Sequence, residues 1–162
     1  MKAMLIDSTR CIGCRGCQVA CKEWHENPAE ETQFFAGKGY QNPRDLTAYT
    51  FTLITYNEVE VNNRFDWVFG KLQCFHCMEP ACATVCPVGA LQKTKLGPVM
   101  YDASRCLGCR YCQLGCPFKV PRFEWDKAFP VIAKCDMCAG RVAAEEDPAC
   151  VKTCPTAAIV FG

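Results

Sequence analysis

The fold of this chain is decided by a run of four cysteines close to its start, Cys11-Ile12-Gly13-Cys14-Arg15-Gly16-Cys17-Gln18-Val19-Ala20-Cys21. The same spacing, C-x2-C-x2-C-x3-C, recurs at Cys106–Cys116. Two further groups, Cys74–Cys86 and Cys135–Cys154, keep the first C-x2-C and the last x3-C but lengthen the middle gap. All 16 cysteines of the 162 residues therefore fall into four sets of four, and none is left over.

This spacing is typical of iron–sulfur ligation. Bacterial ferredoxins use the C-x2-C-x2-C-x3-C run to place three thiolates on one 4Fe-4S cluster and the fourth on its neighbour. Proline follows the last cysteine of three sets, as Pro87, Pro117 and Pro155, and biases that cysteine toward extended backbone. At four thiolates per cluster, the cysteines predict four 4Fe-4S clusters, arranged as two ferredoxin-like pairs.

Other uses of cysteine fit the pattern less well. A disulfide framework is common in cysteine-rich secreted chains, but cysteines three residues apart suit one shared centre better than mutual pairing. Zinc also binds paired C-x2-C motifs, although a zinc site seldom needs a third cysteine at this spacing. The C-x3-C-x2-C motif of radical enzymes is missing, and the nearest approach to a haem motif, Cys74-Phe75-His76-Cys77-Met78, ends in methionine.

Composition narrows the possible partners. The 18 Lys and Arg residues against 17 Asp and Glu give a net charge of +1, which argues against nucleic acid as a partner. No stretch reaches the roughly 20 apolar residues of a membrane span, so no transmembrane segment is expected, and the segment before Cys11 is too short for a signal peptide. We expect a soluble or peripheral protein, either cytoplasmic or periplasmic after export with a signal-bearing partner.

Short apolar segments beside the cysteine sets predict the strands of a repeated ferredoxin frame. They are Ala3–Ile6, Val99–Tyr101, Val131–Ala133 and Ile159–Phe161. The strands at the two ends are expected to lie side by side. We therefore predict an α+β fold of two bacterial-ferredoxin-like modules, each binding two 4Fe-4S clusters. Residues 1–24 plus 135–162 form the outer module, and residues 74–134 form a second module inserted within it.

Residues 25–73 contain no cysteine and are predicted to form a loop followed by a hairpin. Polar loop residues lie at 27–31, 37–40 and 42–44, and strand-like residues begin at Tyr49. The hairpin turn is expected at Asn62-Asn63, with Val59 and Val61 facing Phe65 and Trp67. This insertion is interpreted either as a structural cover over the clusters or as a docking surface for a partner. Its aromatic content is compatible with both, and the second is slightly preferred.

Single residues near the cysteines have simpler interpretations. His76 lies between two cysteines, but its set already supplies enough sulfur, so a place beside the cluster or at the exposed surface is favoured over ligation. Most of the nearby cations are expected to be solvated or to face a partner. They are Arg15, Arg110, Lys119, Arg122, Lys134 and Arg141. Trp24 and Trp125 are expected to pack rather than to carry electrons.

The whole pattern resembles the four-cluster ferredoxin subunit of the molybdopterin oxidoreductase (dimethyl sulfoxide reductase) family, and within it the beta subunit of formate dehydrogenases. The stretches that carry the resemblance are Cys11–Trp24, Asn42–Leu46, Pro117–Arg122 and Pro148–Thr156. The resemblance implies a non-catalytic electron-transfer subunit between a large molybdenum or tungsten pterin subunit and a further redox carrier, such as a cytochrome.

Alternatives remain open at this point. The same role in a polysulfide, thiosulfate or dimethyl sulfoxide reductase, or in a hydrogenase-linked complex, would use the same cysteine pattern. A stand-alone ferredoxin and a zinc-binding module are further alternatives.

The resemblance also implies a ligand set for each cluster, with the outer module facing the catalytic subunit and the inserted module facing the next carrier. Cluster 1 takes Cys11, Cys14, Cys17 and Cys154, and cluster 2 takes Cys21, Cys135, Cys138 and Cys150. Cluster 3 takes Cys74, Cys77, Cys82 and Cys116, and cluster 4 takes Cys86, Cys106, Cys109 and Cys112.

Overall fold

The computed structural model describes residues 1–33 and 40–162, so the part of the predicted polar loop at 37–39 lies outside the described residues. The strands are β1 (Met4–Ile6), β2 (Leu53–Val61), β3 (Arg64–Leu72), β4 (Leu91–Lys93), β5 (Val99–Tyr101), β6 (Arg122–Phe123), β7 (Ile132–Ala133) and β8 (Ile159–Phe161). The helices are α1 (Gly16–Trp24), α2 (Ala81–Thr84), α3 (Tyr111–Gly115), α4 (Ala139–Ala143) and α5 (Ala149–Lys152), with a 3-10 turn at Ala103–Arg105.

The two terminal strands pair with each other, as the sequence predicted. β1 and β8 are antiparallel, with Met4 opposite Phe161 and Ile6 opposite Ile159. The pairing continues beyond the strands, because the N–H of Ala3 donates to the carbonyl of Gly162 at 2.7 Å. The remaining strands form three separate antiparallel pairs, β2 with β3, β4 with β5 and β6 with β7.

The hairpin of β2 and β3 has its turn where the sequence predicted it, but the expected facing of its side chains is wrong. Asn62 and Asn63 both have positive φ, 52° and 57°, as a tight two-residue turn requires. Such a turn sets the residues that flank it opposite each other, so Val61 pairs with Arg64 and Val59 with Asp66. Because paired residues share one face of a sheet, the valines lie on the face opposite Phe65 and Trp67.

In residues 1–33 and 40–162, the core consists of three small groups of apolar side chains, each packed against cysteines. Leu46, Leu53 and Val120 pack with Cys74 and Cys135. The second group joins Leu91, Val99, Phe123 and Ile132 to Cys112, and the third joins Ile54 and Ile159 to Cys17 and Cys150. Each of these groups buries few apolar side chains, so bound metal clusters are needed to hold the helices and strands together.

The helices are short, and each begins beside a cysteine. The longest in the described part of the chain, α1, has nine residues, and none there has the length and hydrophobicity to cross a lipid bilayer. α1 and α3 begin after arginines in left-handed conformation, Arg15 at φ 60° and Arg110 at φ 67°. These matching backbones show that the first and third cysteine runs fold in the same way.

Candidate metal centres

The first group of thiols lines one small, mostly apolar cavity. Cys11, Cys14 and Cys17 reach it from the loop before α1 and from the start of that helix, and Cys154 reaches it from the segment after α5. Burial raises the pKa of the Cys17 thiol to about 11, the positive charge of Lys71 opposes the rise, and neighbouring thiols add to it. These four cysteines are the set that the resemblance implies for cluster 1.

A second group forms around Cys21, on the buried side of α1. Burial raises the pKa of this thiol, and the negative charges of Cys135, Cys150 and Cys138 raise it further. Cys135 is buried as well, and burial raises its pKa to about 12. The structure therefore brings one thiol from the start of the chain together with three from its end.

The third group centres on Cys82 in α2. Burial raises the pKa of Cys82, and Cys74, Cys116 and Cys77 act on it in the same direction. The buried ammonium group of Lys134 opposes them. These four cysteines come from three separate segments, and they match the implied set for cluster 3.

The fourth group is brought together in part. Burial raises the pKa of Cys112 to about 11, and Cys106, Cys82 and Cys109 act on its thiol. Cys86 shows a different environment, because its sulfur accepts the backbone N–H of Ala90 at 3.2 Å. Burial raises the pKa of Cys86, but hydrogen bonds from backbone N–H groups of residues 88–91 outweigh it and lower the pKa.

The donor chemistry fits iron–sulfur clusters. All sixteen cysteines are free thiols, which contradicts a disulfide framework. Thiolates are the soft ligands that Fe–S clusters use, and hydrogen bonds to sulfur are part of such sites. Backbone N–H groups point at sulfurs here, from Met137 to Cys135 at 3.3 Å and from Gly108 to Cys106 at 3.4 Å. Buried thiolates this close together repel one another, so a bound cationic centre is needed to hold them ionised.

Two buried lysines lie among the thiols, and the sequence analysis singled out only one of them. Lys134 is 8% exposed and its Nζ donates to the carbonyl of Cys135 at 2.9 Å. Lys71, also 8% exposed, lines the first cavity and donates to Thr52 Oγ1 at 2.7 Å. Neither lysine forms an ion pair with a carboxylate among residues 1–33 and 40–162. The sequence did not predict this position for Lys71. The nearest cysteine in sequence is Cys74, which belongs to a different set from the cysteines of the first cavity, and Lys71 itself lies in a hairpin strand without cysteines.

The other cations near the cysteines are held by neighbouring side chains. Arg15 stacks on Tyr56, with 4.8 Å from its guanidinium carbon to the ring centroid, and Arg110 stacks on Trp125 at 4.3 Å. Arg122 pairs with a carboxylate of Asp45 at 2.8 Å. Most of these groups are thus held by the protein's own aromatic and acidic side chains, which the sequence did not predict.

His25 lies beside the second thiol group and contacts two of the segments that carry its cysteines. Its Nε2 lies 2.9 Å from Oδ1 of Asp136, and its Nδ1 lies 2.8 Å from the carbonyl oxygen of Cys21. The same Asp136 oxygen accepts the N–H of Cys138 at 2.8 Å. The contact ties the end of α1 to the Cys135–Cys138 loop. It spans 111 residues of sequence, so no local pattern could have indicated it.

Comparisons with known proteins support an iron–sulfur identity. A family described as "4Fe-4S dicluster domain" matches residues 65–162, and a second of the same description matches residues 10–90. The formate dehydrogenase iron-sulfur subunit of Haemophilus influenzae is 44% identical over 161 residues, which cover 99% of this chain and 51% of that protein. The formate dehydrogenase-O iron-sulfur subunit of Escherichia coli K12 is also 44% identical, over 99% of this chain and 52% of its own length.

A hydrogenase-linked protein is similar as well. The hydrogenase-2 operon protein HybA of Escherichia coli O157:H7 is 36% identical over 174 residues, covering 98% of this chain and 51% of that protein. The chain thus spans about half the length of the curated relatives it matches.

The cysteine count and the two family matches agree on the cofactors. Sixteen free cysteines in four sets and two dicluster matches support four 4Fe-4S clusters, and they favour iron–sulfur ligation over the zinc-binding alternative. The formate dehydrogenase relatives are iron–sulfur subunits by name, in agreement with an electron-transfer protein rather than a catalytic one. With one match over residues 65–162, more than half of its length, the chain belongs to the family of 4Fe-4S dicluster domain proteins.

Proposed function

We propose that this chain is the electron-transfer part of a formate dehydrogenase complex, relaying electrons between a molybdenum or tungsten pterin subunit and a further carrier. The observation that carries the proposal is the match along 99% of the chain to formate dehydrogenase iron-sulfur subunits at 44% identity. Sixteen cysteines in four sets give the chain the ligands that such a relay requires.

The proposed ligands of the clusters are the four sets named above. Three sets are supported by thiols that lie close enough to raise one another's pKa, around Cys17, Cys21 and Cys82, and Cys154 joins the first set because it lines the same cavity. The fourth is supported by the contact of Cys112 with Cys106 and Cys109, and Cys86 is assigned to it by the family pattern. Contacts also join neighbouring sets, from Cys17 to Cys150 and from Cys112 to Cys82, as paired clusters require.

The proposed module organisation keeps the boundaries predicted from the sequence, with residues 74–134 inserted into a module of residues 1–24 and 135–162. Its support is the pairing of β1 with β8 and the gathering of Cys21 with thiols from the end of the chain. The hairpin of β2 and β3 then lies against the outer module, because Tyr56 donates a hydrogen bond to the carbonyl of Gly13 in the first cysteine loop.

In this function the chain positions redox centres and sets their potentials. Each cluster, when bound, accepts and releases one electron. Ile54 and Ile159 exclude water from the first cavity, which keeps the local dielectric low. Lys71 and Lys134 place positive charge beside buried thiols, and this favours the reduced, more negative state of the nearby centres. No acid, base or nucleophile of this chain takes part.

A hydrogenase-linked complex is the second candidate, because the match to the hydrogenase-2 operon protein also covers nearly the whole chain. The two candidates differ in the reductant that delivers electrons. Formate should bleach the visible absorbance of the clusters in the native complex if the first proposal is right. Reduction by hydrogen, and not by formate, would favour the second.

The decisive experiment is metal analysis of the native complex, purified without oxygen through a tag on this chain. The proposal predicts about 16 iron atoms per copy of this chain, beyond the partner's own iron, together with molybdenum or tungsten. Iron without a pterin metal would leave a stand-alone ferredoxin.

The ligand sets can be tested with two neighbouring substitutions. In Cys154→Ala, cluster 1 should be lost or damaged while the spectrum of cluster 2 is retained, and Cys150→Ala should have the reverse effect. Loss of the same cluster in both variants would contradict the assignment.

A further inference from the structure

The inference concerns His76, which is 4% exposed and lies in the C-x2-C step between Cys74 and Cys77. Its backbone is in the left-handed conformation, with φ 47°. The ring reaches Cys135, with Nε2 3.5 Å from Sγ. A residue from the cysteine loop of one set thus contacts a thiol of another set, 59 residues away.

The hydrogen-bond partners of the ring settle where its proton is. The backbone N–H of Val99 points at Nδ1 of His76 at 2.9 Å. Because a backbone N–H can only donate, Nδ1 must accept and carries no proton. The proton of the neutral ring is therefore on Nε2, where it is directed at the sulfur of Cys135.

Neighbouring groups hold this ring in place. Lys93 donates from Nζ to the carbonyl of His76 at 2.6 Å. Lys134 donates to the carbonyls of Val99 and Cys135. One ammonium group therefore connects Val99, whose N–H orients the ring, to Cys135, whose sulfur the ring contacts. All these contacts are buried or half-buried, which keeps water from competing for Nε2.

The other three cysteine loops lack such a donor. In each C-x2-C step, the residue just before the second cysteine has positive φ: Gly13 and Gly108 at 69°, Met137 at 62° and His76 at 47°. Of these four, only His76 has a side-chain N–H. The shared backbone does not require a histidine, so its presence calls for a reason connected with the contact that it makes.

We propose that His76 couples the two cluster pairs, by donating a hydrogen bond from the loop that ligates cluster 3 to a thiolate of cluster 2. The proposal rests on the ligand sets given under the proposed function. A hydrogen bond to a ligand thiolate stabilises the reduced cluster and raises its potential. In the step served, one electron leaves one cluster and enters the other. No bond breaks, and the Nε2 proton stays on the ring.

The test compares His76→Met with His76→Gln. The two side chains have nearly the same shape, Met already occupies the equivalent position 137, and only Gln carries an N–H near the position of Nε2. Each full-length variant is reconstituted without oxygen and checked for about 16 iron atoms per chain, so that misfolded protein is recognised. Midpoint potentials are then measured by EPR with chemical mediators, and Cys150→Ala and Cys82→Ala identify the signals of clusters 2 and 3.

We expect His76→Met to lower the ratio of reduced to oxidised cluster 2 about tenfold at a fixed potential, equivalent to about 59 mV for one electron. His76→Gln should recover most of this change, and clusters 1 and 4 should not move. Equal shifts in both variants, no shift in either, or a shift confined to cluster 3 would overturn the proposal. Mediators replace the physiological partners, so the result does not depend on whether formate is the substrate.

Discussion

The first and third cysteine loops allow a matched prediction, because Gly13 and Gly108 occupy equivalent positions with the same φ of 69°. Alanine in this left-handed region costs about 1–2 kcal/mol at either position. The surroundings differ, however. A Cβ on residue 13 would lie 2.9 Å from Cδ1 and from Cε1 of Phe69, whereas a Cβ on residue 108 would meet no atom within 4 Å.

The overlap at position 13 cannot be relieved cheaply. The ring of Phe69 packs edge-to-face against Tyr56 at 5.3 Å and Trp67 at 6.2 Å between centroids, so it has little room to move. Overpacking of this kind adds about 1–3 kcal/mol. Taking about 2 kcal/mol as the excess, Gly13→Ala should favour opening of its loop about thirtyfold more than Gly108→Ala favours opening of the other.

Anaerobic incubation with an iron chelator measures this difference. EPR and iron release follow the rate at which each cluster is lost, relative to the unsubstituted protein. Gly13→Ala should accelerate the loss of cluster 1 far more than Gly108→Ala accelerates the loss of cluster 4. Adding Phe69→Leu to Gly13→Ala should remove most of the effect. Equal acceleration in the two single variants would refute the argument that the hairpin holds the first loop.

Two other predictions concern the outer contacts of the fold. In Gly97→Ala, the new Cβ would overlap the carbonyl of Lys2, and residue 97 has a φ of 130° that only glycine adopts easily. The apparent unfolding temperature, measured at one scan rate, should therefore fall by about 10 °C. A shift under about 2 °C would contradict this. Burial raises the pKa of Glu30, but hydrogen bonds from Thr50 and Lys22 outweigh it, so the pKa is lowered from 4.5. Its stabilisation is present above about pH 4.5 and is lost as the pH falls through the folded pKa. Glu30→Gln should therefore lower the unfolding temperature at pH 7, and this difference should shrink steadily as the pH falls below about 4.5, whereas a difference that does not change with pH would count against it.

Local sequence was enough to predict the cysteine sets and the pairing of the terminal strands. Spacing within a run of cysteines reports directly on ligation, since each step must reach one metal centre. The turn at Asn62-Asn63 was predicted for a similar reason, because few residues tolerate positive φ in succession. The facing of the hairpin side chains was wrong because it depends on a register that shifts with one residue of loop length.

The contacts of the buried polar groups could not be predicted in this way. His76 reaches Cys135 and His25 reaches Asp136 only because separate cysteine segments converge in space. Lys71 reads in the sequence as an exposed hairpin residue, yet the chain buries it. Such groups are located by tertiary packing alone, and they are the ones that set the electrostatic environment of the clusters.

The pairing of β1 with β8 has a consequence for biosynthesis. The ribosome makes Cys11, Cys14 and Cys17 well before Cys154, which completes the cavity that they line, and Met4 pairs with Phe161 only once that residue has been made. The thiols from Cys74 to Cys116 are all synthesised before that point. The interior of the chain can therefore mature while its beginning is still open, and the earliest cysteines to be made are among the last to be closed in.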